Sequence, residues 1–307
     1  MDSTADTSQM SASLKLIAVM GLTGTGKTTF INNVSGSDLE TSDSLHSCTE
    51  DIQCSYFTID DHQVCLIDSP GFDDTKLNDS EILTRIATYL AGLSEQKREL
   101  TGLLYLYNIN NVRVGQSASR NIRTFRGLVG KTNMRNVVLV TTRWPETDDG
   151  EDKIRENRVK ELESEDGFWG SMMKAGARHE KLRNTKEDGI RVIRSLLMKD
   201  TVELQLQSEL RQGKSLIDTT AGQTVNEEME NLKAAHAKEL ALVKKDLEQA
   251  KKEGDHQDAA MLEKERQKLE QQLEASQKAI IALKDAEIDR LRAAQSESSG
   301  GGGCVIL

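Results

Sequence analysis

The sequence predicts an α/β fold, a mainly parallel sheet flanked by helices, followed by a long C-terminal helix or coiled coil. Three observations carry this. Up to about residue 215, short apolar runs alternate with segments of helical pattern. A glycine-rich loop joins the first apolar run to the first helical segment. From about residue 224 the chain turns almost wholly to Glu, Lys, Gln, Ala and Leu, with no proline after Pro145.

Each element follows in order. Residues 1–13 are polar and slightly acidic, and read as a disordered N-terminus. Leu14-Lys-Leu-Ile-Ala-Val-Met20 is a nearly continuous apolar run, the pattern of a strand buried on both faces. "QCSYFTI", "HQVCLIDS", "TGLLYLYNI" and "NVVLVTT" read as further strands. Segments near 80–92, 117–129, 151–164 and 187–213 read as helices, which makes 14–215 one domain. In 224–294 apolar residues recur three and four apart. They run through Val225, Met229, Leu232, Leu240, Val243, Leu247 and Ala250, and resume at Leu269, Leu273, Ser276, Ile280, Leu283, Ile288 and Leu291. This predicts a coiled coil with breaks around His236 and Gly254; a single solvated helix held by ion pairs is the alternative. Residues 295–307 are a flexible Ser/Gly tail ending in "CVIL".

Composition excludes several functions. The net charge is −10 and no basic stripe stands out, so bulk nucleic-acid binding is not expected. The N-terminus lacks the basic and apolar regions of a signal peptide, and no run of about 18 apolar residues exists to span a membrane. Cys48, Cys54, Cys65 and Cys304 form no CxxC pair, which fits a reducing cytosol. His46, His62, His179, His236 and His256 have no ligand spacing, so no metal beyond Mg²⁺ is expected.

The chemistry begins at Gly21-Leu-Thr-Gly-Thr-Gly-Lys-Thr28, the G-x-x-x-x-G-K-T pattern. It leaves a buried strand and enters a helix, as a phosphate-binding loop must. Gly21, Gly24 and Gly26 let the backbone fold tightly, so the N–H groups of residues such as Thr23, Thr25 and Thr29 converge on phosphates. Lys27 reaches the outer phosphates, and Thr28 ligates Mg²⁺. "LIDSPG" then places Asp68 and Gly71 at a strand end. Asp68 is a candidate to hold Mg²⁺ through water, and Gly71 offers an unobstructed N–H to a γ-phosphate. A D-x-P-G at a strand end marks switch GTPases. Between the two motifs a polar segment should carry a threonine for Mg²⁺; Thr49 is the candidate, with Thr41 and Ser47 as rivals.

"GLTGTGKTTF", "LHSCTEDIQ", "LIDSPGFDD" and "VVLVTTRWPE" together resemble the septin-like and immunity-associated (paraseptin) GTPases. The likeness is strongest to fungal members that pair a G domain with a helical tail, and it covers roughly residues 14–213. It implies a Ras-like P-loop fold that binds GTP or GDP with Mg²⁺. Two features depart from that group. The base-reading motif is normally Asn/Thr-Lys-x-Asp; here it is Thr142-Arg143-Trp144-Pro145, with Glu146 following. Arg143 could lie along the base as the lysine does, with Trp144 stacking nearby, and the resemblance offers Arg183-Asn184 as the last base loop. Second, Phe72 stands where many Ras-like enzymes place a water-orienting Gln, and Thr23 replaces a common glycine. Slow intrinsic hydrolysis is the expectation. The resemblance further implies pairing across the nucleotide face, with Arg113 and Arg120 as candidates to complete the site in trans.

"CVIL" matches C-a-a-X, and leucine at X favours geranylgeranyl transfer to Cys304. One lipid anchors weakly, so a homodimer, through the G domain or the coiled coil, would supply two. Three readings stand: a membrane-tethered GTPase switch or scaffold on the cytosolic face, a P-loop ATPase or phosphotransferase, and a coiled-coil scaffold with a structural nucleotide. The sequence names no effector.

Overall fold

The computed structural model describes residues 14–39, 52–72, 78–111, 114–145, 150–183 and 185–285. The strands are β1 (Lys15–Gly21), β2 (Gln53–Ile59), β3 (His62–Asp68), β4 (Gly102–Asn108), β5 (Val137–Thr142) and β6 (Arg178–Lys181). They form a sheet in the order β2-β3-β1-β4-β5-β6. β2 runs antiparallel to β3, and every other pairing is parallel. The helices are α1 (Lys27–Ser35), α2 (Asp79–Glu95), α3 (Gln116–Val129), α4 (Asp152–Ser164), α5 (Gly170–Lys174), α6 (Lys186–Leu197), α7 (Gln205–Arg211), α8 (Thr220–Glu253) and α9 (His256–Asp285). This is a Ras-like α/β architecture with helices on both faces of a mainly parallel sheet.

The alternation of side chains along β1 explains the two cores. Leu16, Ala18 and Met20 point to one face and join residues of α2, α3 and α8. Ile17 and Val19 point to the other and join α1 and α6. A central parallel strand covered on both sides needs this near-continuous apolar run.

Four of the expected helices are present, but the segment 187–213 is two helices, α6 and α7, parted near Met198–Leu204. α5 and β6 carried no periodic signal; β6 reads "RHEK" and holds its place through the parallel ladder to β5. Asn78 caps α2 in a reciprocal box with Glu81, with 3.0 Å and 3.2 Å bonds.

The tail differs from the expected coiled coil. The break at Gly254 is real: this residue ends α8 in a left-handed conformation (φ 75°), which glycine adopts without cost, and α9 turns back along α8. Lys244 pairs with Glu270 at 3.0 Å and Lys251 with Glu263 at 3.8 Å, so the two helices are antiparallel. The expected break at His236 does not occur. The repeat closes an intrachain hairpin instead of one long helix. The first turns of α8 also pack on α3, and Ala279, Ile280 and Leu283 of α9 join the buried cluster of α2 and α3. Among the described residues no helix is long and apolar enough to cross a membrane.

Candidate nucleotide site

The phosphate end is built where β1 hands over to α1. Gly24 and Gly26 take φ values of 76° and 88°, and Gly26 caps α1 with no side-chain hydrogen bond. Thr25 fastens the loop through its hydroxyl to Leu22 O at 2.8 Å. Lys27 folds over the loop, donating to Gly21 O at 3.2 Å and Leu22 O at 3.0 Å.

Across from it, Thr28 Oγ1 donates to Asp68 Oδ2 at 2.6 Å, and Asp68 is wholly buried. A hydroxyl and a carboxylate from the ends of α1 and β3 thus meet at one point. That is a hard-oxygen pair of the kind that would suit Mg²⁺. Gly71 is needed for close approach: a Cβ there would lie 2.6 Å from Thr23 N and Oγ1 and 2.8 Å from Lys27 Nζ. Thr23 Oγ1 is buried beside Gly71 and makes no hydrogen bond among the described residues. The donor set and the glycine cradle fit a nucleotide phosphate with its metal.

Phe72 stands clear of the site. Its ring is buried in the core beneath α2, and its backbone O accepts from Thr23 N at 3.3 Å. A parallel bridge to Leu22 extends the β1–β3 pairing past the strands. The position that often carries a water-orienting Gln therefore gives the site no side chain at all.

The base end is a cavity of about 360 Å³ between the loop and the C-terminal ends of β4 and β5. Thr29, Asn110, Arg143, Pro145 and Arg183 are among its lining residues. Thr142 ties the two ends together, its hydroxyl donating to Thr25 O at 2.9 Å. Arg143 sits at φ 64°, a left-handed conformation rare for a residue with a Cβ. Asn110 supports it, donating from Nδ2 to Arg143 O at 3.2 Å while Oδ1 accepts from Arg155 Nε at 3.1 Å.

Trp144 lines this cavity but is only 5% exposed. Its Nε1–H donates to Thr141 Oγ1 at 2.8 Å, and Thr141 Oγ1 lies 2.9 Å from His179 Nε2. His179 Nδ1 lies 2.9 Å from Glu163. Burial, helped by the Lys181 ammonium, holds the His179 imidazole down at about 4, so it is neutral near pH 7. Neutral His179 donates from Nδ1 to Glu163 and accepts at Nε2 from the Thr141 hydroxyl. Lys181 lies over the Trp144 ring, 4.7 Å from its centre. The indole is thus a fixed wall of the cavity.

Arg120 does not reach the nucleotide loop. Its guanidinium pairs with Glu228 of α8 at 2.5 Å, and Arg123 pairs with Glu227 at 2.7 Å. Thr49, Arg113, Glu146, Asn184 and Cys304 lie outside the described residues. Sequence reasoning missed Asn110, Thr141 and His179, whose partners lie 33 to 45 residues away. The one local hint was the asparagine pair Asn110-Asn111 just after β4.

Fold and phosphate site together define a P-loop GTPase domain, a class that holds GTP or GDP with Mg²⁺. Residues 16–143 match the family model described as 50S ribosome-binding GTPase, which takes in less than half of the chain. No curated protein sequence matches the chain. Solved structures align with the chain at low identity. The chloroplast translocon components atToc33 and psToc159 align at 13% identity with a TM-score of 0.51, over 62% of this chain and 86% of theirs. Toc33 from Arabidopsis thaliana with GDP and Mg²⁺ aligns at 14% and 0.49, over 62% and 88%. The G domain of the T. maritima FeoB iron transporter aligns at 15% and 0.38, over 60% and 96%.

Proposed function

We propose that this protein is a slow GTPase that works as a membrane-tethered switch or scaffold and completes its hydrolytic site by dimerisation. The observation that carries the reading is the Thr28–Asp68 bond at 2.6 Å beside the glycine cradle of Gly71. Lys27 and the N–H groups of the loop hold the phosphates, and Thr28 and Asp68 hold Mg²⁺, with Thr49 as the proposed third contact. Bound Mg²⁺ would supply charge neutralisation at the β- and γ-phosphates. Hydrolysis adds water to the γ-phosphorus and breaks its bond to GDP. With Phe72 in the core, nothing at that position orients the water, which supports slow turnover.

A partner copy would supply the missing group. Dimerization is important for the GTPase activity of atToc33 and psToc159, which have this fold. Arg113 is the better candidate to act in trans, because Arg120 is paired with Glu228 in its own chain. Guanine would be read by Arg143, Glu146 and Asn184 in place of a carboxylate at 145. The hairpin of α8 and α9 and a geranylgeranyl group on Cys304 would place the domain at a cytosolic membrane face.

Single-turnover GTP hydrolysis by the full chain, followed over a hundredfold range of protein concentration, tests the central step. The rate per molecule should rise with concentration and lose that rise in Arg113→Ala. A concentration-independent rate would reject dimer-dependent catalysis. For the tether, prenylated protein should float with liposomes and Cys304→Ser should not.

A further inference from the structure

Thr23 carries a hydroxyl that the fold itself does not use. The residue is half-buried, but its Oγ1 is shut off from solvent and makes no hydrogen bond among the described residues. A buried hydroxyl without a partner is destabilising, because it gives up water and gains nothing in exchange. Valine has the same branched shape and would fill the place without that penalty. The hydroxyls on either side are engaged: Thr25 donates to Leu22 O at 2.8 Å, and Thr28 donates to Asp68 Oδ2 at 2.6 Å.

The surroundings of this hydroxyl identify its ligand. A Cβ placed on Gly71 would stand 2.6 Å from Thr23 Oγ1 and 2.8 Å from Lys27 Nζ. The hydroxyl, the lysine ammonium and the Gly71 backbone therefore border one spot, where the loop faces the end of β3. The Thr23 N–H, expected to turn to the phosphates, donates instead to Phe72 O at 3.3 Å. At this residue the side chain is the donor that remains. The spot is also apart from the base end: Thr25, Gly26 and Thr29 line that cavity, whereas Thr23, Lys27 and Gly71 do not.

We propose that the Thr23 hydroxyl tells a nucleoside triphosphate from a diphosphate, by donating its hydrogen to an oxygen of the γ-phosphate. The inference rests on the GTPase reading above, in which Lys27 and Gly71 serve the outer phosphates. A γ-phosphate brings anionic oxygens, which only accept, to the place where an unpaired donor is held. A diphosphate leaves the hydroxyl as it stands in the free protein. The gain from pairing a buried donor with a charged acceptor thus falls on the triphosphate alone. The donor is held in advance, because a β-branched side chain has few rotamers and the bond to Phe72 O pins its backbone. The glycine common at this position has no hydroxyl to offer.

The test is calorimetric titration of the full chain, with Mg²⁺, against GDP and the non-hydrolysable analogue GMPPNP. The parent chain tests the GTPase reading by itself: binding of neither nucleotide would overturn that reading and this one with it. Where the parent binds, Thr23→Val should weaken GMPPNP about tenfold and leave GDP within about twofold. Thr23→Ser, which keeps the hydroxyl, should stay within about threefold of the parent for both. Thermal melts without nucleotide give a second readout. There Thr23→Val should melt no lower than the parent, because it removes an unpaired group. Equal losses for the two nucleotides, no loss for either, or a Thr23→Val chain that melts lower without nucleotide would each overturn the assignment while leaving the GTPase reading in place.

Discussion

The two ends of the nucleotide cleft are built differently. At the phosphate end, Lys27, Thr28, Asp68 and Gly71 come together from three elements within hydrogen-bonding reach, and the backbone takes the left-handed turns that its glycines allow. At the base end no carboxylate lines the cavity among the described residues, Pro145 stands where an Asp would read guanine, and the indole is locked into the wall. The first end is organised for charge, the second for shape. Most of the affinity should therefore come from the phosphates, and the base should tune selectivity.

The largest effect should fall on the phosphate end. Lys27→Ala should weaken GTP binding by about a hundredfold or more, about 3 kcal/mol, in a calorimetric titration. A loss under tenfold would mean that the base end carries the affinity, reversing the comparison.

The second test addresses the wall of the base end. The unfolded chain protonates a histidine near 6.5, whereas folded His179 stays neutral down to about 4. Between those values the unfolded state binds the extra proton. The stability is thus fully present above pH 6.5 and is lost as pH falls towards 4. Between pH 7 and pH 5 the loss should be about 2 kcal/mol, less what Glu163 returns. Burial raises the Glu163 carboxyl, so in this range it takes up its proton sooner in the folded state. Urea melts of His179→Gln should show a flatter pH dependence than the parent chain.

Gly71→Ala should cost about 1–3 kcal/mol of stability, because the new methyl meets backbone and Lys27 at under 3 Å. Thermal melts would show it, and no change would mean that the Thr23–Phe72 contact opens freely. The smallest effect should be Arg143→Ala, a loss of GTP affinity under about fivefold, or about 1 kcal/mol. A larger loss would give the base end a weight this account denies it.

The same contrast separates what was legible in the sequence from what was not. The phosphate loop and the strand ending in Asp68 were readable because their residues act through fixed local spacing on one strand–turn–helix unit. β3 to β5 matched their apolar runs because buried strands must be apolar. β6, by contrast, is "RHEK", a strand made by its ladder alone. What fixes Trp144 was not readable, because His179, which bonds its partner Thr141, and Lys181, which lies over its ring, both come from β6. Phe72 read as a defect in the site, but folding sends its ring to the core. The three-and-four apolar spacing puts buried residues along α8 and α9, yet nothing in such a repeat says whether its partner is another chain or its own return stroke. Gly254 decided it.

The most direct measurement of the central claim is calorimetric titration of the full chain with GTP, GDP and ATP, each with Mg²⁺. GTP and GDP should bind at least tenfold tighter than ATP, about 1.4 kcal/mol or more. Equal binding of ATP, or no binding by any of the three, would contradict it.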